Sequence, residues 1–166
     1  MDFEVKDGKG RGKEYNFHDF IEKKFKGEYL KGEKNGKRKE YELGRLIFDG
    51  EYLNGKRHGK GKEYSIHNEY FEFEGEYLNG LRNGKGKEYE GIVHGRLLYE
   101  CEFLNGKKNG KGKEYIYKGY KTENIYEGEF LNGEKNGKEK EYDGKGNEIF
   151  EGEYLNGKRW YSIKKV

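Results

Sequence analysis

Aromatic, glycine and charged positions recur in one short pattern along the chain. In residues 48–64, Phe48 is followed by Gly-Glu-aromatic-Leu, then by Asn54-Gly55 and a glycine-rich stretch, and finally by Lys-Glu-Tyr. Aromatic side chains and leucine suit strands, whereas Asn and Gly tolerate the positive φ that a chain reversal needs. The pattern therefore predicts a β-hairpin.

The hairpin unit is repeated along most of the chain. Its copies open at Phe25, Phe48, Phe73, Tyr99, Tyr126 and Phe150. Self-similarity at such a period is typical of arrays in which each unit packs on its neighbours. We therefore expect an all-β fold, an elongated single twisted antiparallel sheet of consecutive β-hairpins with about six repeats in residues 25–157.

The two ends depart from the pattern and are expected to cap the array. Residues 1–24 suggest a partial hairpin with Asp7-Gly8 as a tight turn, and residues 16–24 could hold a helical turn. Residues 158–166 are expected to form an apolar C-terminal cap. Its docking residues would be Trp160, Tyr161 and Ile163.

Strand alternation assigns the repeat positions to two faces of the sheet. Phe48, Gly50 and Tyr52 share one face, and Asp49, Glu51 and Leu53 share the other. Pairing Tyr52 with Gly61, and Glu51 with Lys62, would place each aromatic ring over a glycine and each glutamate beside a lysine. The prediction is one aromatic face and one salt-bridged face.

The spacing of these residues resembles a known family, the MORN (membrane occupation and recognition nexus) repeat. The matching residues are Phe48-Asp49-Gly50-Glu51-Tyr52 with Gly55, Gly59 and Gly61, and the pattern recurs in the other copies. Lys39 and Lys140 stand in place of the last glycine, and Cys101 in place of the first. The Lys-Glu-Tyr strand also resembles the variant repeats of bacterial MORN-like antitoxin proteins. The resemblance implies a scaffold built of consecutive hairpins.

Composition narrows the class of protein further. The chain of 166 residues has 28 Gly, no Pro and 16% aromatic residues, and the aromatic content argues against disorder. Its net charge is only +3, with lysine and glutamate interleaved, so a nucleic-acid partner is not expected. No signal peptide or apolar span is evident. We expect a cytoplasmic protein, and an association with the cytoskeleton or a membrane stays open.

Candidate chemistry is sparse. The histidines lack metal-ligand spacing, Cys101 is the only cysteine, and the Gly-Lys stretches lack the spacing of a phosphate-binding loop. We therefore predict no catalytic residue, no cofactor, no metal and no enzymatic activity.

The expected function is a structural scaffold that mediates protein–protein interaction or self-assembly, as a homo-oligomer or filament. Its candidate interaction face comprises Phe48, Tyr52, Phe73, Tyr77, Tyr99, Phe103, Tyr126 and Phe130. One alternative is binding to anionic phospholipid through a basic turn formed by Lys107, Lys108, Lys111 and Lys113. Another is the role of a bacterial MORN-like antitoxin or immunity protein.

Overall fold

The computed structural model describes residues 2–6, 9–18, 21–67, 70–90 and 95–164. In these ranges the regular structure is entirely β, so no helix there is long and apolar enough to cross a membrane. The chain divides into two compact units, Met1–Leu81 with Glu90–Arg96, and Arg82–Tyr89 with Leu97–Val166.

The strands of the first unit are β1 (Asp2–Lys6), β2 (Lys9–His18), β3 (Ile21–Leu30), β4 (Glu33–Glu42), β5 (Arg45–Leu53), β6 (Lys56–Tyr64) and β7 (Phe71–Leu78). Those of the second are β8 (Leu81–Tyr89, except its first residue), β9 (Leu97–Leu104), β10 (Lys107–Lys118), β11 (Lys121–Leu131), β12 (Glu134–Asp143), β13 (Glu148–Leu155) and β14 (Lys158–Lys164). Within each unit every strand pairs antiparallel with the next one along the chain. The predicted array of consecutive hairpins is confirmed.

Each repeat reverses over only two residues. Asn54 and Gly55 have φ of 49° and 77°. Positive φ at both central residues is typical of the type I′ turn, which favours Asn-Gly in two-residue hairpin loops. The N–H of Gly55 donates to the carbonyl of Lys34 at 3.0 Å, and the equivalent turns donate to the preceding hairpin in the same way. Each turn is thereby fixed to the repeat before it.

The register differs from the predicted one. Gly50 pairs with Gly61 and Tyr52 pairs with Arg57, so the predicted pairing of Tyr52 with Gly61 is wrong, as is that of Glu51 with Lys62. The reason is Gly59, which was expected in the reversal but lies inside β6 at φ 67°. The pairing shifts there by two residues, which is the effect of a bulge.

Rings do cover glycines, but the covering ring is the one that opens the repeat. A Cβ built on Gly61 would lie 2.5 Å from Cζ of Phe48, and one on Gly50 would lie 2.6 Å from the same atom. Phe48 therefore needs both glycines on the paired strands beneath it.

The register also corrects two other expectations. Arg38 pairs with Gly50, and Glu139 with Gly152, so these residues, not Lys39 and Lys140, replace the last glycine of the motif. The helical turn expected in residues 16–24 is wrong, because β2 continues to His18 and β3 starts at Ile21. The strands of the N-terminal hairpin are present, whereas its expected turn, Asp7-Gly8, lies outside the described residues.

Candidate interaction surfaces

The aromatic side chains of each unit pack on one another. We call the face that carries them the aromatic face. Phe48 meets Tyr52 and Tyr77 edge-to-face at centroid distances of 5.7 and 5.3 Å, and Tyr126 meets Phe130 at 5.3 Å. Such contacts add about 0.5–1.5 kcal/mol per pair beyond burial. These rings form the core of the repeats.

The structure places the eight residues of the expected interaction face within this core. Tyr99 is half-buried. The buried members are Phe48, Tyr52, Phe73, Tyr77, Phe103, Tyr126 and Phe130. Their packing leaves little ring area to contact a partner, and their role as an interaction face stays a prediction.

A cation covers the opening ring of the repeats that begin at Phe48, Tyr99, Tyr126 and Phe150. The guanidinium carbon of Arg57 lies 4.0 Å from the ring centroid of Phe48, and Nζ of Lys135 lies 4.3 Å from that of Tyr126. Attraction between a cation and a ring face contributes about 0.5–2 kcal/mol. This position was not among the residues predicted to be functional, although it is basic in all six copies. The residues are Lys34, Arg57, Arg82, Lys108, Lys135 and Arg159.

Glutamates on the aromatic face form ion pairs with these cations, both within a hairpin and between neighbouring hairpins. Arg57 donates to Glu63 at 2.7 Å and to Glu40 of the preceding hairpin at 2.9 Å. Lys135 reaches Glu114 in the same manner at 2.7 Å. Glu40, Glu114 and Glu141 of the Lys-Glu-Tyr strands thus each bond a cation of the following hairpin.

Arg38 is the first of two charged residues that replace a core glycine. It is 1% exposed, its guanidinium carbon lies 4.2 Å from the ring centroid of Tyr29, and its Nη1 donates to the carbonyl of Glu28 at 2.9 Å. Its Nε and Nη2 have no hydrogen-bond partner among the described residues. A buried charge that is only partly satisfied carries a desolvation cost.

Glu139 is the second. It is 4% exposed, and neither carboxyl oxygen has a hydrogen-bond partner within the described ranges. Burial raises the pKa of Glu139 to about 8, with a further rise from Glu141, against the opposing effects of Lys135 and Arg159. A carboxyl group in such surroundings stays protonated, and therefore neutral, at pH values well above its ordinary pKa.

On the opposite face, which we call the outer face, one row of lysines pairs with acids across the strands. Lys62 lies 3.1 Å from Glu74, and Lys113 lies 3.1 Å from Glu127. The predicted salt-bridged face is thus confirmed, with different partners from those expected. Because these side chains are about half exposed, each pair contributes only about 0–1 kcal/mol.

A second row of lysines on the outer face has no such partners. The carboxylate of Glu51 occupies the space that a Cβ on Gly59 would need, and Glu102 is placed in the same way against Gly110. The neighbouring lysines are exposed and make no ion pair with any described residue. This free lysine row comprises Lys37, Lys60, Lys85, Lys111 and Lys138.

Leucines line the outer face beside the turns. One precedes the turn in every copy, and their exposed fractions lie between 38% and 51%. This leucine row comprises Leu30, Leu53, Leu78, Leu104, Leu131 and Leu155.

The expected basic turn is only partly free. Nζ of Lys108 lies 3.3 Å from the ring centroid of Tyr99, and Lys113 is paired with Glu127. Lys107 and Lys111 are exposed. The expected C-terminal docking cap begins with Trp160, which is 72% exposed on β14, while the side chains of Tyr161 and Ile163 lie outside the described set.

In the part of the chain that the structure describes, groups capable of catalysis or metal binding do not gather at one place. Cys101 is buried, which raises the pKa of its thiol to about 12, as expected for a packed structural cysteine. No cluster of three or more potential metal ligands is found among the described residues.

Comparison with protein families matches the MORN repeat at residues 48–66, 73–90, 99–119 and 126–138. The last segment ends immediately before Glu139. A comparison with curated protein sequences found no match.

Proposed function

Since the chain is a MORN repeat protein, we propose that it is a non-enzymatic structural module that mediates protein–protein interaction or self-assembly. MORN repeats occur in modules that often contact other proteins or membranes. Of these two kinds of contact, we assign contact with proteins to this chain.

The observation that carries the proposal is the periodic placement of its polar groups. A basic residue, a glutamate and an aromatic ring recur together in separate hairpins. Arg57 contacts Glu40 and Phe48, and Lys135 contacts Glu114 and Tyr126 in the same way. An active site instead gathers different groups at one place, where they depart from the local pattern. Repetition of one surface suits a partner that binds along several repeats.

The membrane alternative receives less support from the placement of its lysines. Two of the four residues in the expected basic turn, Lys108 and Lys113, are engaged with a ring and a carboxylate. Recognition of an anionic membrane needs clustered basic residues that remain available.

The test is capture of partners from the native cell with the intact chain, followed by mass spectrometry, and light scattering of the purified chain. We expect either a specific protein that copurifies in stoichiometric amount or concentration-dependent assembly. A monodisperse monomer that captures no protein would overturn the proposal. Flotation with phosphatidylserine vesicles examines the membrane alternative in parallel.

A further inference from the structure

We propose that the leucine row and the free lysine row of a unit together form a docking surface for an acidic amphipathic helix of a partner protein. This inference rests on the proposed interaction function and specifies the surface and the class of partner. It concerns the outer face, not the buried aromatic rings.

The leucines are not needed for the core of the repeats. The aromatic face supplies that core, with Phe48 and Phe73 fully buried. Leu53 lies on the other face, yet a leucine recurs at this position in all six copies. Repeated exposure of the same large apolar residue marks a surface available for contact.

The spacing of the leucines fits a helix. In the first unit Leu30, Leu53 and Leu78 end alternate strands, so neighbours are separated by two strand spacings, roughly 9.6 Å. Residues seven apart on an α-helix are separated by about 10.5 Å. A helix with an apolar residue every seventh position can therefore contact all three leucines.

The free lysine row indicates that the partner helix carries acidic residues. Lys37 is exposed and makes no ion pair with any described residue, because Glu51, which pairs with it across the strands, lies over the bulge glycine Gly59. Lys60, opposite Glu76, is likewise exposed without an ion pair in the described part of the chain. The second unit repeats this arrangement with Lys85, Lys111 and Lys138. Carboxylates beside the apolar stripe of a helix would complement these free cations.

A protein helix fits the surface better than a lipid membrane does. Glu28 and Glu76 remain exposed among the lysines of the first unit, so the outer face has no large excess of positive charge. A membrane also has no repeat of its own to match evenly spaced leucines. The regular spacing and mixed charge favour a partner with a matching period.

The test uses the intact chain and a dye-labelled helical peptide of about 22 residues with leucine on one heptad stripe and glutamate on either side. A control peptide has the same composition with its leucines scattered around the helix. Fluorescence anisotropy should show binding of the first peptide only. Equal binding of both peptides, or of neither, would overturn the inference.

The protein variants locate the binding site. The double variant Leu53→Thr with Leu78→Thr should weaken peptide binding about tenfold or more, because two apolar contacts with the helix are lost. Threonine is well tolerated in strands, so the fold should be kept. Lys37→Glu with Lys60→Glu should also weaken binding, and should reduce its dependence on salt. Leu43→Asn is the matched control, since Leu43 is exposed but lies in the turn at the other end of the strands.

Two further readouts separate the possible failures. If the leucine variant captures native protein partners as well as the unsubstituted chain does, the docking surface is wrong and the interaction function stands. If neither captures a partner and the unsubstituted chain also stays a monodisperse monomer, the interaction function itself fails. A different outcome is that the unsubstituted chain binds phosphatidylserine vesicles but not the peptide, and that the leucine variant loses this vesicle binding. That result would assign the surface to lipid and overturn the inference.

Discussion

Arg57 covers the face of Phe48 and at the same time joins two hairpins. Its guanidinium carbon lies 4.0 Å from the ring centroid, and its two terminal nitrogens reach Glu40 and Glu63. One side chain thus closes the core of its own repeat and fixes the repeat before it. The aromatic face owes its stability to this combination of a ring and an ion pair.

Replacement of Arg57 tests this role. Arg57→Met keeps much of the packing over Phe48 but leaves the carboxylates of Glu40 and Glu63 without this cation. We expect a loss of about 2 kcal/mol, measured as a lower melting temperature by circular dichroism. Arg57→Lys should be much milder, because Lys135 serves in an equivalent copy. An unchanged melting temperature for Arg57→Met would contradict the prediction.

Glycine under the ring is the second feature open to test. Gly61→Ala introduces a Cβ that would lie 2.5 Å from Phe48, so the ring or the strand must move. We expect a cost of about 1–3 kcal/mol in unfolding by urea, typical of overpacking. Lys60→Ala, one residue away on the outer face, serves as control and should change stability by at most about 0.5 kcal/mol. Equal stability of the two variants would show that the ring does not require the glycine.

Hairpin order and the two faces could be predicted from the sequence because each depends on a local signal. Asn54-Gly55 specifies the reversal, and alternation places Phe48 and Tyr52 together. The register could not be predicted, since Gly59 serves equally well in a turn or in a bulge and only the paired strands decide between them. Arg38 and Glu139, by contrast, could be recognised from spacing alone, because each stands two residues after Gly36 or Gly137, as Gly61 stands after Gly59. The free lysine row depends on where Glu51 points, which spacing does not reveal.

Glu139 predicts an unusual pH dependence. Its pKa is raised from 4.5 to about 8 in the folded chain, so the folded state holds the proton more tightly than the unfolded state does. This contribution is complete below about pH 4.5 and is lost as the pH rises to about 8. Glu139→Gln remains neutral, and its stability should exceed that of the unsubstituted chain by roughly 2 kcal/mol or more at about pH 9.

The measurement is the difference in urea unfolding between the two chains at several pH values. Other titratable groups around Glu139 are Tyr126, Tyr154, Glu141, Lys135 and Arg159. They are present in both chains, so the comparison isolates the substituted carboxyl. Glu139→Gly, which provides the glycine of other copies, should also remove this pH dependence. A difference that stays constant from about pH 5 to pH 9 would show that Glu139 is ionised throughout.

Substitution of Arg38 by methionine should have the opposite effect on stability to the same substitution at Arg57. Arg38 is buried with Nε and Nη2 unpartnered, whereas Arg57 bonds two carboxylates. Arg38→Met fills a similar volume without these donors, although it gives up the contact with Tyr29 and the bond to the carbonyl of Glu28. Because removing the desolvated charge outweighs those losses, we expect Arg38→Met to be neutral or to stabilise the chain by about 1 kcal/mol. A decrease as large as that of Arg57→Met would mean that the cation over Tyr29 stabilises the first repeat despite its missing partners.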